Sequence, residues 1–239
     1  MVKKIKGPVG SSKVKEQWRE VYDKIAKMRE TIQAPVDVDG AIATFDNSID
    51  PKLARFQTLI GILLSAQTKD ATTARVVENL KANGLTPQRM AEISLKDLSE
   101  EIHGVRFQNN KAKHIKETAQ ILLEKYDGDV PNDFKTIVSL PGVGLKMAHM
   151  FLQVCYGSVE GIAVDTHVHR VANRLGWAKS KKPDDTMEQL QDLLPRELWD
   201  QANTILVGFG QVICTKKNPK CEECEVKNLC EFYNAKKRK

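Results

Sequence analysis

The sequence predicts an all-α protein, and three observations support this fold class. Apolar residues recur at helical spacing along most of the chain, glycine and proline mark the ends of these segments, and no convincing run of strict alternation predicts a β-strand. The 239 residues provide enough material for one large or two small domains with a buried core.

Charge and hydropathy argue against a membrane-spanning or secreted protein. The 37 Lys and Arg residues exceed the 31 Asp and Glu residues, and the first fifteen positions hold five lysines and no acidic residue. Such basic ends are typical of solvated tails, targeting signals or loose contacts with nucleic acid. No stretch approaches the roughly 18 apolar residues of a membrane span, and no apolar signal segment is evident. We therefore expect a soluble protein in a reducing compartment.

The longest apolar stripe lies in the segment PKLARFQTLIGILLSAQT. Its large side chains recur at i, i+3, i+4, i+7 and i+8, which predicts a core helix, and they are Phe56, Leu59, Ile60, Leu63 and Leu64. Thr86, which precedes a proline, and Ser94, in the segment SLKD, are predicted N-caps. Gly128 and Gly176 are predicted to end the helices that precede them.

Two stretches of turn-forming residues, Asp46–Pro51 and Gly157–Gly161, are the predicted boundaries between two helical lobes. A block of short helices lies between them, and both chain ends would build the second lobe. The predicted division is a basic flexible N-terminus over residues 1–14, a first lobe over 48–157, a second lobe over 15–47 with 158–233, and a basic tail over 234–239.

The segment SLPGVGLKMA predicts a tight turn between two helices. Pro141 ends the first helix, and Gly142 and Gly144 let the backbone turn sharply and approach another molecule closely. The second helix presents unpaired N–H groups and the positive end of its dipole, which suit a phosphate oxygen. From these glycines alone, a phosphate grip and a helix–helix turn without a ligand remain equally compatible with the sequence.

Lys146 lies in the first turn of the second helix. A free lysine is protonated at neutral pH, so a nucleophilic role needs burial or positive neighbours. Taken alone, Lys146 is better explained as a solvated or phosphate-pairing side chain.

Asp165 supplies a candidate partner for this lysine. The eight residues from Gly157 to Val164 could span roughly 26 Å. The 12-residue helix before them is about 18 Å long, so the chain could return along it and place Asp165 beside Lys146. Asp165 could equally cap the helix that follows it.

The neighbouring histidines do not complete a metal triplet. Asp165, His167 and His169 stand at i, i+2 and i+4, which do not share one face of a helix. Surface or DNA-facing contacts are the better expectation for both histidines. Cys155 follows an apolar stretch and is predicted to be a buried core thiol.

Four of the five cysteines are clustered with the spacing C-x6-C-x2-C-x5-C, and they are Cys214, Cys221, Cys224 and Cys230. A disulfide pair would need an oxidising compartment, for which the chain shows no signal. A structural zinc is plausible, although zinc ribbons usually place two close C-x2-C pairs around a longer loop. Iron–sulfur cubanes accept more varied spacings, so the spacing slightly favours a cluster over zinc.

Together these motifs resemble the endonuclease III family. The resemblance is carried by LPGVGLKMA, by VDTHVHR eighteen residues after the motif lysine, by the cysteine quartet and by LLSAQTKD upstream. It spans residues 50–233 and looks closer to the eukaryotic branch than to the bacterial one. It implies a six-helix barrel domain with a helix–hairpin–helix motif and a [4Fe-4S] cluster domain built from both chain ends.

The resemblance also implies an activity, that of a bifunctional DNA glycosylase and AP lyase acting on oxidised pyrimidines in base excision repair. Carried onto this sequence, it makes Lys146 the nucleophile and Asp165 its assisting carboxylate. It makes the four clustered cysteines the ligands of the [4Fe-4S] cluster.

The resemblance further implies a set of DNA contacts. Gly142 and Gly144 would belong to the DNA-binding hairpin, and Gln67 would enter the space left by a flipped nucleotide. Phe107 would act as a wedge against the opposite strand, although Arg106 stands where the family usually has glycine.

Two alternatives stay open at this point. A monofunctional mismatch glycosylase of the same fold would use water in place of an amine, and Lys146 argues against it. A non-catalytic DNA-binding module would use only the hairpin and the metal loop. The expected partner is double-stranded DNA with oxidised pyrimidines or abasic sites, and we expect a monomer without membrane contact. The expected location is the nucleus, with the mitochondrion as a second candidate.

Overall fold

The computed structural model describes residues 12–39 and 45–238, and all regular structure in these ranges is helical. The α-helices are α1 (Ser12–Glu30), α2 (Pro35–Asp39), α3 (Pro51–Ser65), α4 (Asp70–Ala82), α5 (Pro87–Glu92), α6 (Leu95–Glu101), α7 (Gln108–Tyr126), α8 (Phe134–Ser139), α9 (Leu145–Tyr156), α10 (Thr166–Leu175), α11 (Pro183–Leu193), α12 (Trp199–Val212) and α13 (Glu231–Lys237). Short 3₁₀ turns cover Arg196–Leu198, Cys221–Glu223 and Lys227–Leu229. The predicted all-α class is confirmed, and no helix in the described ranges is long and apolar enough to cross a bilayer.

The chain divides into two compact units. One unit comprises Val38–Glu160, and the other combines the residues before Val38 with those after Glu160. The assignment of these units to a barrel domain and a cluster domain, with boundaries at residues 48 and 157, stays a prediction. Residues 1–11 of the predicted basic N-terminus and Lys239 of the predicted tail lie outside the described residues.

Both predicted terminal segments contribute to helices where they are described. The first helix begins at Ser12, three residues before the expected start at residue 15, because Val14 is buried in the core of its unit. At the other end, α13 continues to Lys237. The ammonium of Lys237 lies 4.9 Å from the ring centroid of Tyr233, a cation–π distance that favours this helical arrangement.

The unit Val38–Glu160 is built around α3. Each member of the predicted apolar stripe on this helix is at most 1% exposed. The helix is buried on more than one face because α4, α7 and α9 all pack against it. Its N-terminus is capped by Asp50, which accepts from the N–H groups of Lys52 and Leu53, both at 3.0 Å.

Local helix signals read from the sequence are confirmed in this unit and the next. The hydroxyl of Thr86 accepts from the N–H three residues later at 3.2 Å, and the hydroxyl of Ser94 does the same at 3.1 Å. Gly176, with φ of +83°, is the left-handed C-cap of α10. The cap of α7 is Asp127, with φ of +52°, one residue before the predicted Gly128, whose φ is +73°. Left-handed glycines of this kind are the usual stop signal of a helix.

The second unit has its own core between α1 and α10–α13. In this core α10 packs against α11, α12 and α13, and α1 packs against α12. The buried side chains include Ile25, Val171, Trp177, Leu190 and Phe209. Trp177 is 1% exposed, and its ring lies 6.5 Å from that of Tyr22. This core holds α10 and the cysteine-bearing C-terminal segment in one unit.

His149 of α9 is a buried histidine that the sequence did not distinguish from its neighbours. Its ring centroid lies 4.5 Å from that of Phe134 in α8, so the two rings hold these helices together. Its Nδ1 atom has no hydrogen-bond partner among the described residues. Burial lowers the pKa of His149, and the carboxylate of Glu160 opposes this effect only in part. The folded state therefore favours the neutral ring.

We expect this histidine to contribute to acid sensitivity. Because its pKa is lower in the folded state, the unfolded chain takes up the proton first, and stability is lost as the pH falls below about 6.5. His149→Gln should reduce the drop in melting temperature between about pH 8 and pH 5. His103→Gln, which changes an exposed histidine of the same unit, is the matched control. Equal pH slopes for the parent and His149→Gln would contradict the assignment.

Candidate functional site

The hairpin predicted from the glycines is formed by α8, residues 140–144 and α9. Gly142 has φ of +76°, and a Cβ atom at this position would overlap the ring of His114 on α7, so the turn requires glycine. Gly144 is the extended N-cap of α9, with open space where a side chain would lie. No side chain caps the first N–H groups of α9, which gives the hairpin the open helix N-terminus that suits an anion.

Lys146 is the second residue of α9 and is partly exposed. Its backbone therefore lies in the turn whose N–H groups are left open by Gly144. A ligand phosphate held at this turn would bring the neighbouring nucleotide within reach of a lysine side chain. The catalytic role of Lys146 stays a prediction.

Asp165 is the N-cap of α10, which confirms one of its two expected roles. Its Oδ1 atom accepts from the N–H groups of His167 and Val168, both at 2.8 Å. These bonds orient the carboxylate through one oxygen, so Oδ2 is available to a further partner. Lys146 and Asp165 belong to different units, and their pairing stays a prediction.

The two histidines of α10 are held by side chains of their own unit. His169 Nδ1 lies 2.6 Å from the hydroxyl of Thr186 on α11, and His167 Nδ1 lies 3.2 Å from a guanidinium nitrogen of Arg170. Both rings are only partly exposed. For His169, α11 supplies a partner that the local sequence does not show, and the expectation of surface or DNA-facing contacts for both histidines stays a prediction.

Gln67 and Phe107 share an uncommon backbone conformation. Their φ values are +54° and +60°, in the left-handed region, which costs a non-glycine residue about 1–3 kcal/mol. Both side chains are exposed, and Phe107 is 53% exposed, with the guanidinium of Arg106 lying 5.0 Å from its ring centroid. Strained residues with exposed side chains are typical of segments that contact a ligand. Their contacts with DNA stay a prediction.

The four clustered cysteines are brought together in the second unit, where they line one cavity. The loop after α12 carries Cys214, and the first 3₁₀ turn before α13 begins at Cys221. Cys224 and Cys230 directly follow the first and the second of these turns. The remaining wall is mainly apolar, from Leu175, Phe209, Ile213, Val226 and Phe232. All five cysteines are free thiols in the described residues. The donor set and its apolar surroundings fit a thiolate-bound metal centre.

Burial governs the pKa values of two of these thiols. Burial, together with the neighbouring thiols, raises the pKa of Cys224 to about 11, and burial also raises the pKa of Cys230. Such thiols stay protonated at neutral pH unless a metal ion stabilises the thiolate.

Two arginines of α10 hold the cysteine loop through its backbone. Arg174 Nη1 donates to the carbonyl of Thr215 at 2.7 Å and to both the carbonyl and Sγ of Cys214 at 3.3 Å. Arg170 Nε donates to the carbonyl of Cys214 at 3.2 Å. The sequence alone does not single out these two arginines, although their i, i+4 spacing places them on one face of the helix.

Comparison with protein-family models identifies two parts of the chain. Residues 60–196 match the HhH-GPD superfamily of base excision DNA repair proteins, and residues 214–230 match the iron–sulfur binding domain of endonuclease III. The second match begins and ends at the outer cysteines of the quartet. The protein therefore has a [4Fe-4S] cluster as its cofactor.

Individual proteins give the same result over most of the chain. The sequence is 46% identical over 217 residues to endonuclease III-like protein 1 of Bos taurus, covering 90% of this chain and 71% of the relative. It is 43% identical over 220 residues to the endonuclease III homolog of Schizosaccharomyces pombe, covering 90% of this chain and 62% of that relative.

The fold of this chain is also similar to solved structures of endonuclease III bound to DNA. The chain matches the structure of a trapped endonuclease III–DNA covalent intermediate with a TM-score of 0.80 and 31% identity, over 94% of this chain and 99% of that chain. It also matches a non-covalent endonuclease III–DNA complex with a TM-score of 0.81 and 30% identity, over the same shares of the two chains.

We expect Arg174→Met to weaken retention of the cluster. The substitution keeps an unbranched side chain but removes a guanidinium that holds the loop at Cys214 and Thr215. Hydrogen bonds to a charged group are worth about 1.5–3 kcal/mol, so iron loss to a chelator should be about tenfold faster. Iron content and visible absorbance over time provide the measurement. Lys217→Met, an exposed change on the same loop, is the control, and equal rates of loss would contradict the assignment.

Proposed function

The chain belongs to the endonuclease III family of the HhH-GPD superfamily, and on this premise we propose that it excises oxidised pyrimidines of the thymine glycol type from double-stranded DNA. Members of this family are DNA glycosylases with AP lyase activity, and this protein is such an enzyme of base excision repair. Oxidised pyrimidines stack poorly, which lowers the cost of a few kcal/mol for extruding a base from the duplex.

The observation that carries the proposal is the position of Lys146 in the first turn of α9, directly after the Gly142 turn. A lysine at this position can reach a nucleotide whose phosphate is bound at the hairpin. The structure of an endonuclease III that is 31% identical to this chain contains a trapped covalent intermediate with DNA. Such an intermediate requires a nucleophile on the protein, and we assign that role to Lys146 here.

The chemistry that we assign to Lys146 begins with its neutral amine. The amine attacks C1′ of the lesion nucleotide, and the glycosidic bond breaks with its electron pair leaving on the base, which takes up a proton. Opening of the sugar ring then gives an imine between Nζ and C1′. Loss of a proton from C2′ eliminates the 3′ phosphate with the electron pair of the C3′–O bond, and the strand is cut.

Asp165 is proposed as the carboxylate that assists these proton movements. Its Oδ1 atom is fixed by two N–H groups of α10, and a fixed carboxylate stabilises the positive charge that develops at the sugar without reorganising first. Its second oxygen can accept a proton from the reacting amine. Cap and catalyst are therefore compatible roles for one side chain.

Cys214, Cys221, Cys224 and Cys230 are proposed as the four ligands of the [4Fe-4S] cluster. When bound, the cluster supplies a crosslink that fixes the loop, and no bond-making step is assigned to it. The exposed side chains of Lys216 and Lys217 on this loop are proposed to contact DNA phosphates. Lys227 is a weaker candidate because its ammonium pairs with Glu222 at 2.9 Å.

The proposal also covers the oligomeric state of the protein and its location in the cell. We propose a monomer, because the glycosylase and lyase steps need only one copy of each assigned residue. We propose the nucleus as its location, with the mitochondrion as a second site. The basic residues near both chain ends support this location, because such runs are typical of targeting segments.

The imine between Lys146 and DNA can be trapped by reduction. Borohydride added to the protein with a duplex containing an abasic site or thymine glycol should yield a permanent protein–DNA adduct, and Lys146→Gln should abolish it. Lys135→Gln, which changes a lysine of α8 in the same hairpin, is the matched control. An adduct that survives Lys146→Gln would reject Lys146 as the nucleophile. Base release from thymine glycol without any adduct would indicate a monofunctional enzyme.

The variant Asp165→Asn separates a catalytic role of Asp165 from its role as an N-cap. Asn is also a good N-cap, so Asp165→Asn should keep the fold of α10 and the affinity for DNA. Turnover should fall about 100-fold or more, because the charge that assists proton transfer is lost. The measurement is single-turnover base release together with DNA affinity. A parallel loss of affinity and turnover would indicate a purely structural cap.

A further inference from the structure

We propose that Lys111 is a positioning residue that holds Gln67 and Phe107 in the arrangement needed to open a DNA duplex. This inference rests on the proposed function, because it takes the exposed side chains of Gln67 and Phe107 as DNA contacts. Lys111 itself is proposed to contact neither the lesion nor the reacting atoms.

Lys111 is a lysine of α7 that is only 6% exposed. Its Nζ atom donates to the carbonyls of Leu64 and Ala66 at 2.7 and 2.6 Å and to the hydroxyl of Thr68 at 3.2 Å. Three acceptors match the three N–H donors of an ammonium group. Burial lowers the pKa of Lys111 to about 8, so the ammonium form still predominates at pH 7.

The three acceptors lie on both sides of Gln67. Ala66 precedes Gln67 and Thr68 follows it, so one ammonium group holds the two neighbours of a residue whose φ is +54°. Left-handed backbone at a non-glycine residue persists only where the surroundings fix it. Lys111 is the side chain that provides this restraint from the interior of the unit.

The restraint extends to Phe107 through the hydroxyl of Thr68. Thr68 Oγ1, which accepts from Lys111, also accepts the N–H of Arg106 at 3.3 Å. Arg106 directly precedes Phe107, whose φ is +60° and whose side chain is exposed. Two strained residues with exposed side chains, distant in sequence, are thus joined through a single half-buried hydroxyl.

A second lysine of α7, Lys116, also donates to carbonyl groups at the end of a helix and serves as a comparison for Lys111. Lys116 Nζ donates to the carbonyls of Ala91 and Ile93, at the end of α5. The non-glycine residues of positive φ in the described structure are Gln67, Phe107 and Asp127, and none of them neighbours Ala91 or Ile93 along the chain. Lys116 therefore only satisfies carbonyl groups, whereas Lys111 satisfies carbonyl groups and also restrains two candidate DNA contacts.

The arrangement indicates why such a restraint would serve the reaction. A side chain that replaces a flipped nucleotide must be inserted while the base is leaving, and a mobile segment would first have to be ordered. A segment already held in its strained shape can enter the duplex without that delay. Loss of Lys111 should therefore slow steps that need an intact duplex to be opened, and it should spare the imine chemistry itself.

The test compares two substrates at saturating protein concentration. One is a continuous duplex with an abasic site, and the other lacks the nucleotide opposite that site, so that its stack is already open. Lys111→Met should slow borohydride trapping about tenfold on the continuous duplex and leave the rate on the gapped duplex within about twofold of the parent. Lys116→Met, the matched control, should leave both rates unchanged.

Thr68 provides a second pair of variants with little change in volume. Thr68→Val removes the shared oxygen and should reproduce the duplex-specific loss, while Thr68→Ser keeps the oxygen and should stay closer to the parent. This pair decides the question if Lys111→Met does not fold, as judged by helix content and iron content.

The outcomes separate the inference from the proposed function. No adduct from the parent protein on either substrate would reject the imine mechanism itself. An equal loss on both substrates, or the same loss in Lys116→Met, would reject the positioning role while leaving the imine mechanism in place. A rate of Thr68→Val on the continuous duplex that equals that of Thr68→Ser would also reject it.

Discussion

Positively charged side chains that donate to carbonyl groups at helix C-termini hold both functional segments of this chain. The last carbonyls of a helix have no partner within the helix, and they must be satisfied when they are buried. Lys111 satisfies those at the end of α3, and Arg170 satisfies the carbonyl of Gly210 in the last turn of α12. Arg174 extends this pattern to the loop carbonyls that follow α12. In each unit, the segment that is held in this way carries the residues assigned to DNA contact or to the cluster.

This type of contact explains how short irregular segments keep a defined shape. Residues 66–68 and 214–216 form no regular helix, yet each segment accepts two or more hydrogen bonds from one buried or half-buried cation. Lys111 donates to the carbonyl of Ala66 and the hydroxyl of Thr68, and Arg174 donates to the three carbonyls of residues 214–216. Cations at these positions also face the negative end of the helix dipole. A fixed shape matters for a DNA glycosylase, since ordering a loop during binding would add to the cost of extruding the base.

Much of the fold could be predicted because its signals are local. The stripe on α3, the caps at Thr86 and Ser94, and the stop at Gly176 are read from a few consecutive residues. The grouping of the four cysteines was predictable for the same reason. Lys111 was missed because its acceptors lie more than forty positions away in the sequence, which periodicity does not reveal. Its position four residues before Ile115, on the buried face of α7, was the only signal.

The left-handed conformation of Gln67 and Phe107 was equally hidden, since neither residue type favours it. The contact between His169 and Thr186 was hidden as well, because Thr186 belongs to another helix.

The contacts made by Lys111 and Arg174 have a consequence for how the chain can change. Most of their acceptors are main-chain oxygen atoms, which every amino acid possesses. The side chains of Ala66 or Lys216 can therefore be exchanged without removing the hydrogen bonds that shape their segments. The backbone conformation of the two segments is thus largely independent of which side chains they carry. Variation in sequence can change the side chains that each segment presents while the backbone that carries them stays the same.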